Sequence, residues 1–229
     1  MATIYLVRHG QASFGKENYD QLSATGWEQG RVLGRWFAGK VEPVAVFGGD
    51  LERHRETVEA IGTGYGPGLP DMQVVPGFNE FDHITVVARY RPEWSDRAVM
   101  ARDLKAFPKP ARAFQEAFVQ AVRRWVSGEF DHEYGEIWPD FKARVLVAFE
   151  EMIDYADGGD VLVATSAGPI SVIAQHLLGL DDAKALGLNE VIANTSTTRV
   201  LYSGPRRSLA VFNNYSHLEA DNPALVTFR

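Results

Sequence analysis

The sequence predicts a layered α/β domain built on a largely parallel sheet and carrying a helical insertion. Short β-branched apolar runs alternate with amphipathic stretches up to about residue 80 and again after residue 160, the order expected of strands covered by helices. Between Phe81 and Tyr155 the strand signals stop and only a helical period remains. The size agrees: 229 residues, 45% hydrophobic and 23% charged, suit one large domain with an insertion and exclude a disordered chain or a coiled coil.

Taken in order, Thr3 to Val7 is β-branched and apolar and reads as a buried central strand. After a polar loop, Thr25 can cap a helix through about Phe37, with Val32, Leu33, Trp36 and Phe37 on one face. Val44 to Phe47 is a second strand, ended by Gly48-Gly49, and Glu52 to Ile61 is rich in helix formers. Gly62 to Pro70 reads as a loop and Gln73 to Val75 as a third strand. In the helical stretch, Ala111 to Val126 and Trp138 to Tyr155 each repeat apolar residues near a 3.6 period. Asp160 to Thr165 is another buried strand, Pro169 fits the first turn of a helix through Leu178, and Thr198 to Tyr202 and Leu209 to Phe212 complete the strands. The whole chain, 1–229, reads as one domain with its helical insertion at about 82–135.

Charge and composition narrow the function. A net charge of −7 repels nucleic acid and anionic membrane, so any anion handled here must be held by a local cluster of arginines. Cysteine is absent, which excludes disulfides, thiolate metal sites and a cysteine nucleophile. Ile4 to Val7 is too short for a secretion signal and has no basic region before it. No run approaches the roughly 18 apolar residues of a membrane span. The expectation is a soluble cytoplasmic protein.

The chemistry begins at Leu6-Val7-Arg8-His9-Gly10-Gln11. An Arg-His-Gly triplet at the carboxyl end of a first strand lies where open α/β sheets bind ligands. Gly10 lets the backbone turn and approach a ligand, Arg8 offers a planar fork for phosphate oxygens, and His9 can be a neutral nucleophile near pH 7. Alone, the triplet fits a strand-end histidine satisfied by backbone carbonyls equally well. A second segment, Asp50-Leu-Glu-Arg53-His54-Arg55-Glu-Thr57, follows the second strand and opens a helix at the same edge. Arg55 reads as an outward surface charge.

With these two segments the chain resembles the histidine phosphatase superfamily, the phosphoglycerate mutase-like proteins. Arg53 and Thr57 match its Leu-x-Arg-Ala-x-x-Thr-Ala pattern. Gly77-Phe-Asn-Glu80-Phe is similar to the segment that ends in the family's acidic proton donor, Trp138 to Arg144 to its helix before the late strand, and Asn213 to His217 to its last motif. The ordered set runs from residue 4 to about 218. The resemblance implies a three-layer α/β/α sandwich with a mostly parallel sheet. It also implies a phosphatase-like hydrolase of phosphomonoesters. His9 would be transiently phosphorylated, Arg8 and Arg53 would clamp the phosphoryl oxygens, and Glu80 would protonate the leaving group, with Asp82 its competitor. No metal and no cofactor is implied.

Three departures bear on that expectation. The family's second histidine falls at Ser166 of Thr165-Ser166-Ala167-Gly168-Pro169; the resemblance makes Ser166 a phosphate contact that can donate one neutral hydrogen bond, so the pocket is short of one cation unless another residue supplies it. His54, His83 and His132 are candidates by their loops, and His54 is the most pointed because it replaces the family's alanine beside Arg53. His176 and His217 read as packing residues. Gly15 and Gln11 stand where mutases of the family carry asparagine and glutamate, which weakens a mutase reading. The stretch from Ser13 to Asp20 is expected to line the entrance, with Ser13 as a further phosphate contact. The expected partner is a small phosphorylated metabolite or a phosphoprotein, with no nucleic acid and no membrane. A catalytically weak or inactive protein that binds phosphorylated ligands or a partner protein is the alternative, and a phosphoglycerate mutase is a third.

From Arg89 to Arg112 seven basic residues face three acidic ones, a net +4 in an acidic chain. If this segment steers anionic substrates, kcat/KM falls steeply with added salt. Neutralising Arg89, Arg97, Lys105 and Lys109 together then flattens that dependence, and an unchanged slope assigns them to ordinary surface charge.

Overall fold

A computed structural model describes residues 1–13 and 20–228 of the chain. Two compact units result, Met1–Glu80 with Arg144–Arg229, and Phe81–Ala143.

The first unit contains a six-stranded sheet in the order β3-β2-β4-β1-β5-β6. Its strands are β1 (Ala2–Arg8), β2 (Ala45–Gly48), β3 (Met72–Val74), β4 (Val161–Thr165), β5 (Thr197–Ser203) and β6 (Arg206–Asn214). Four of them, β3, β2, β4 and β1, run parallel. Strands β5 and β6 are added antiparallel at one side, so the sheet is mixed and mostly parallel, an α/β fold as expected. All four parallel strands therefore end at one edge. β4 and β2 are buried along their whole length, which requires cover on both faces and explains their unbroken apolar sequences. On one face Val7, Val46, Leu162 and Ala164 pack against Leu33 and Phe37 of α1 (Ala24–Phe37) and Val58 and Ile61 of α2 (Glu52–Tyr65). Helix α7 (Ala167–Leu178) also packs on β1, and α8 (Asp182–Val191) on α7.

Two helix boundaries differ from the sequence expectation. Ser23, not Thr25, caps α1: its hydroxyl accepts the Gly26 amide at 3.1 Å and donates to Gln11 Oε1 at 2.8 Å. Helix α2 runs on through Gly62 and Gly64, where a loop is expected, and stops only before Gly66 at φ 88°. Gly64 serves helix packing. A Cβ at Gly64 would collide with the Arg31 carbonyl, and one at Gly34 with the Ile61 carbonyl, so α1 and α2 approach backbone to backbone. Trp36, assigned to the apolar face, is 42% exposed and lies under the Lys40 ammonium at 4.2 Å. His176 is likewise exposed, in the last turn of α7. His217 is buried on α9 (Ser216–Asp221), and burial lowers its pKa to about 4.

The second unit holds α3 (His83–Tyr90), α4 (Arg97–Lys105), α5 (Pro110–Val126) and the start of α6 (Trp138–Ala156). Its core is aromatic: Phe81 lies 4.8 Å from Trp125 and 5.7 Å from Phe141, ring to ring, and Trp125 meets Trp138 edge-on at 5.3 Å. Three arginines of the basic segment, Arg91, Arg102 and Arg112, pair with Glu93, Asp103 and Glu116 at the surface. Among the described residues no helix is long and apolar enough to cross a membrane.

Helix propensity favours Gly34→Ala by up to about 1 kcal/mol. The added Cβ would, however, also stand within 2.7 Å of the Tyr65 amide nitrogen. Overpacking of that kind costs about 1–3 kcal/mol. Gly34→Ala is therefore expected to lower the urea midpoint; a raised midpoint contradicts the close helix contact.

Candidate active site

His9 follows β1 directly, and its amide donates to the Thr165 carbonyl at 2.8 Å, so the ends of β1 and β4 are joined where the parallel strands finish. The ring Nδ1 lies 2.7 Å from the Gly10 carbonyl. A carbonyl only accepts, so Nδ1 carries the hydrogen and Nε2 presents its lone pair. The residue is 8% exposed, which leaves a narrow path to the ring. Burial first, then the charges of Arg53 and Arg8 and the nearby His54, hold its pKa well below the usual imidazole value. His9 is thus a neutral imidazole at physiological pH, with the Nε2 lone pair free of the Gly10 bond.

Gly10 has a different task from the one its sequence context suggests. Its φ is ordinary, but a Cβ there would stand 2.6 Å from the Gly26 carbonyl oxygen, and one at Gly26 would strike the Gln11 carbonyl. The glycine pair admits the first turn of α1 against the loop after His9. Gln11 accepts from Ser23, and its amide donates to Gln29 Oε1 at 2.8 Å, so its side chain helps cap α1.

The opposite wall is the first turn of α2. Thr57 accepts the Gly10 amide at 3.0 Å and donates to the Arg53 carbonyl at 2.6 Å. Arg53 is buried, and its guanidinium pairs with Asp20 at 2.5 Å while the other Asp20 oxygen accepts the Glu52 amide at 2.8 Å. Asp20 thereby orients Arg53 and caps a helix whose own N-cap, Leu51, has no side-chain acceptor. Arg55 points to solvent. Arg8 donates to the carbonyls of Ile192 and Phe228 while its charge acts on His9. Ser13 is buried, and its hydroxyl donates to the Leu22 carbonyl at 2.9 Å; this bond ties together the two ends of the loop. Gly15 lies outside the described residues.

Glu80 reaches the site on a tethered loop. Arg144 donates to the Gly77 and Asn79 carbonyls at 3.0 and 2.9 Å, and Thr165 Oγ1 donates to the Phe78 carbonyl at 2.6 Å. Asn79 also accepts the Asp50 amide at 2.9 Å. A Glu80 carboxylate oxygen accepts the Gly168 amide at 3.1 Å, at the N-terminus of α7. Asp82, the alternative acid, caps α3 instead, accepting from Ile84 N, Thr85 N and Thr85 Oγ1. Burial raises its pKa, but these bonds outweigh burial and leave it below the usual value.

Ser166 is fully buried at the N-cap position of α7 yet makes no capping bond. Its Oγ lies 2.8 Å from His54 Nε2, and the His54 ring centre lies 5.9 Å from that of His9. His54 is therefore brought close to His9. His83 begins α3 and His132 is exposed beside Glu133.

Asp20 forms part of this site without a motif of its own, whereas Asn79 and Arg144 fall in family-like segments whose contacts the sequence does not name; Thr57, one turn after Arg53, is legible by that spacing. Among the described residues no group of three His, Asp or Glu side chains could hold a metal. A groove of about 720 Å³ within the second unit is lined by Arg89, Arg124, Phe130, Glu129 and Glu133. Its Arg124 already pairs with Glu133 and covers the Phe130 ring.

Solved structures share this fold. A phosphoserine phosphatase from Entamoeba histolytica aligns at TM-score 0.65 and 14% identity, covering 95% of this chain and 100% of that one. An α-ribazole phosphatase from Shigella flexneri aligns at TM-score 0.60 and 17% identity over 93% and 96%. A phosphoglycerate mutase from Bacillus anthracis aligns at TM-score 0.62 and 16% identity over 95% of each chain. No curated protein sequence matches the chain. The sequence model of the histidine phosphatase superfamily, branch 1, matches residues 4–215, and with that match over nearly its whole length the chain belongs to this superfamily.

Proposed function

We propose that the protein is a phosphomonoesterase that works through a phosphohistidine on His9, with a small phosphorylated metabolite or a phosphoprotein as substrate. The observation that carries this reading is the state of His9: a neutral ring whose Nδ1 is bound to Gly10, with guanidinium charge from Arg53 and Arg8 acting on it. Nε2 attacks phosphorus, the ester P–O bond breaks, and the leaving oxygen takes a proton from Glu80. The Glu80 carboxylate then accepts a proton from water as that water attacks phosphorus, the P–N bond breaks, and His9 and inorganic phosphate are released. Phosphoryl transfer depends on fixed positive charge around the equatorial oxygens, and Arg53, held by Asp20, is oriented to supply it.

Phosphatase is also the activity named for two of the structural relatives above. Against a mutase stands the engagement of Gln11 with Ser23. The observation that favours a binding protein without turnover is Ser166, a neutral side chain where the resemblance leads one to expect a cation.

A panel of phosphate esters, with trapping of acid-labile phosphate on the protein, tests the assignment. Label is expected on wild type and not on His9→Ala; label that persists in His9→Ala, or hydrolysis without any label, removes His9 as the nucleophile. Arg53→Ala is expected to lower kcat/KM by at least roughly 10²-fold, and Arg53→Lys to recover little, because a point charge does not replace a fork. Full activity in Arg53→Ala removes the arginine from the site. Binding of inorganic phosphate with neither label nor turnover establishes the non-catalytic reading.

A further inference from the structure

The peptide between Gly10 and Gln11 serves His9 through one of its polar groups and is held from behind by the other. Its carbonyl accepts from His9 Nδ1 at 2.7 Å, and its N–H donates to Gln29 Oε1 at 2.8 Å. The peptide is planar and trans, so its C=O and N–H point in opposite directions, and fixing one fixes the other. Gln29 lies in the second turn of α1 and is fully buried. Both hydrogens of its carboxamide are committed, Nε2 donating to the Leu225 carbonyl at 2.6 Å and to Thr227 Oγ1 at 2.8 Å. Thr227 in turn donates to Asn194 Oδ1 at 2.9 Å, and Asn194 Nδ2 donates to the His9 carbonyl at 3.1 Å.

These bonds form one chain from the Gln11 N–H to the His9 carbonyl. The first group can only donate and the last can only accept, so every donor between them faces the same way, an arrangement in which successive bonds strengthen one another. We infer that Gln29 is a positioning residue for His9: it holds the peptide plane after Gly10, residues 225–227 set the sense of its carboxamide, and the plane in turn keeps the His9 hydrogen on Nδ1. The inference rests on the phosphoryl-transfer reading above and extends it to residues that do not meet the phosphoryl group. Which ring nitrogen carries the hydrogen is decided by the bond the other nitrogen makes, and only the bare nitrogen can attack phosphorus. The Gly10 carbonyl stays aimed at Nδ1 because Gln29 holds the other side of the same peptide. Turned over, that peptide would leave the Gln11 N–H buried without its acceptor and offer Nδ1–H no carbonyl.

The His9 tautomer is read by long-range proton–nitrogen correlation NMR on protein labelled at its histidine nitrogens, with His9→Ala identifying the signal, and the measurement needs no substrate. Wild type is expected to show Nδ1–H alone. Gln29→Met, close in size but without a carboxamide, is expected to give a mixture of tautomers. Its kcat is expected to fall roughly 10-fold, the equivalent of one buried hydrogen bond, with KM within about 2-fold because Gln29 does not meet the substrate. Thr227→Val removes one of the two acceptors of Gln29 Nε2 and is expected to move both readouts the same way, by about 3-fold in kcat. Thr227→Ser, which keeps the hydroxyl, is expected to recover that loss. A merely structural Gln29 would lower Tm and leave the tautomer alone. Should Gln29→Met fail to fold, the Thr227 pair decides. A wild-type tautomer in folded Gln29→Met, or equal behaviour of Thr227→Val and Thr227→Ser, would overturn the inference while labelling of His9 stands. A wild type with neither label nor turnover removes the phosphoryl-transfer reading, and a tautomer shift in Gln29→Met then still establishes Gln29 as the residue that holds the His9 ring.

Discussion

Thr57 accepts the Gly10 amide at 3.0 Å and returns its own proton to the Arg53 carbonyl at 2.6 Å, and through these two bonds the end of β1 is joined to the first turn of α2. The two segments are far apart in sequence, yet His9 lies one residue before one anchor point, and Arg53 provides the other, with His54 next to it. Their mutual geometry depends on this hydroxyl and on the glycine pair, Gly10 and Gly26, that lets α1 close behind the loop. A Gly10 amide left buried without an acceptor carries a penalty of about 1–3 kcal/mol. The bond is therefore a condition for the loop's conformation as well as an aid to it.

The electrostatics follow from the same placement. Burial and the two guanidinium groups disfavour an imidazolium at His9, and the same positive charge favours a dianion beside it. In the proposed reaction, one arrangement thus keeps His9 deprotonated and attracts the group it would attack. Asp20 prevents Arg53 from being an uncompensated buried charge while leaving the rest of its fork to other partners, the usual condition for a buried guanidinium.

How much of this the sequence discloses depends on what each residue touches. The parallel strands are legible because burial on both faces demands unbroken apolar runs, as in β4. The extent of α2 is not, because Gly62 and Gly64 look like loop residues, and Gly64 is explained only once α1 is seen to lie against it. His9, Arg53 and Glu80 are legible from ordered motifs at strand ends. Asp20 is not: a lone carboxylate has no pattern of its own, and its partner Arg53 lies on a distant segment of the sequence. Ser13 reads as a phosphate contact, but its hydroxyl is bound to the Leu22 carbonyl.

Position 166 shows why a missing residue type and a missing function are different things. A serine before a helix ordinarily caps it through its hydroxyl. Here Glu80 accepts the Gly168 amide, and Pro169 has no N–H to offer, so α7 does not need Ser166 as its cap. Relieved of that duty, the hydroxyl turns to His54. The imidazole expected at the end of β4 stands instead on α2, with Gly49 leaving it room. A second histidine built at position 166 would have to share the space of His54. Position 54 is large where alanine is expected, and position 166 is small where histidine is expected, and the two changes meet at 2.8 Å. The apparent loss at one site and the unexplained bulk at the other are thus two ends of a single hydrogen bond.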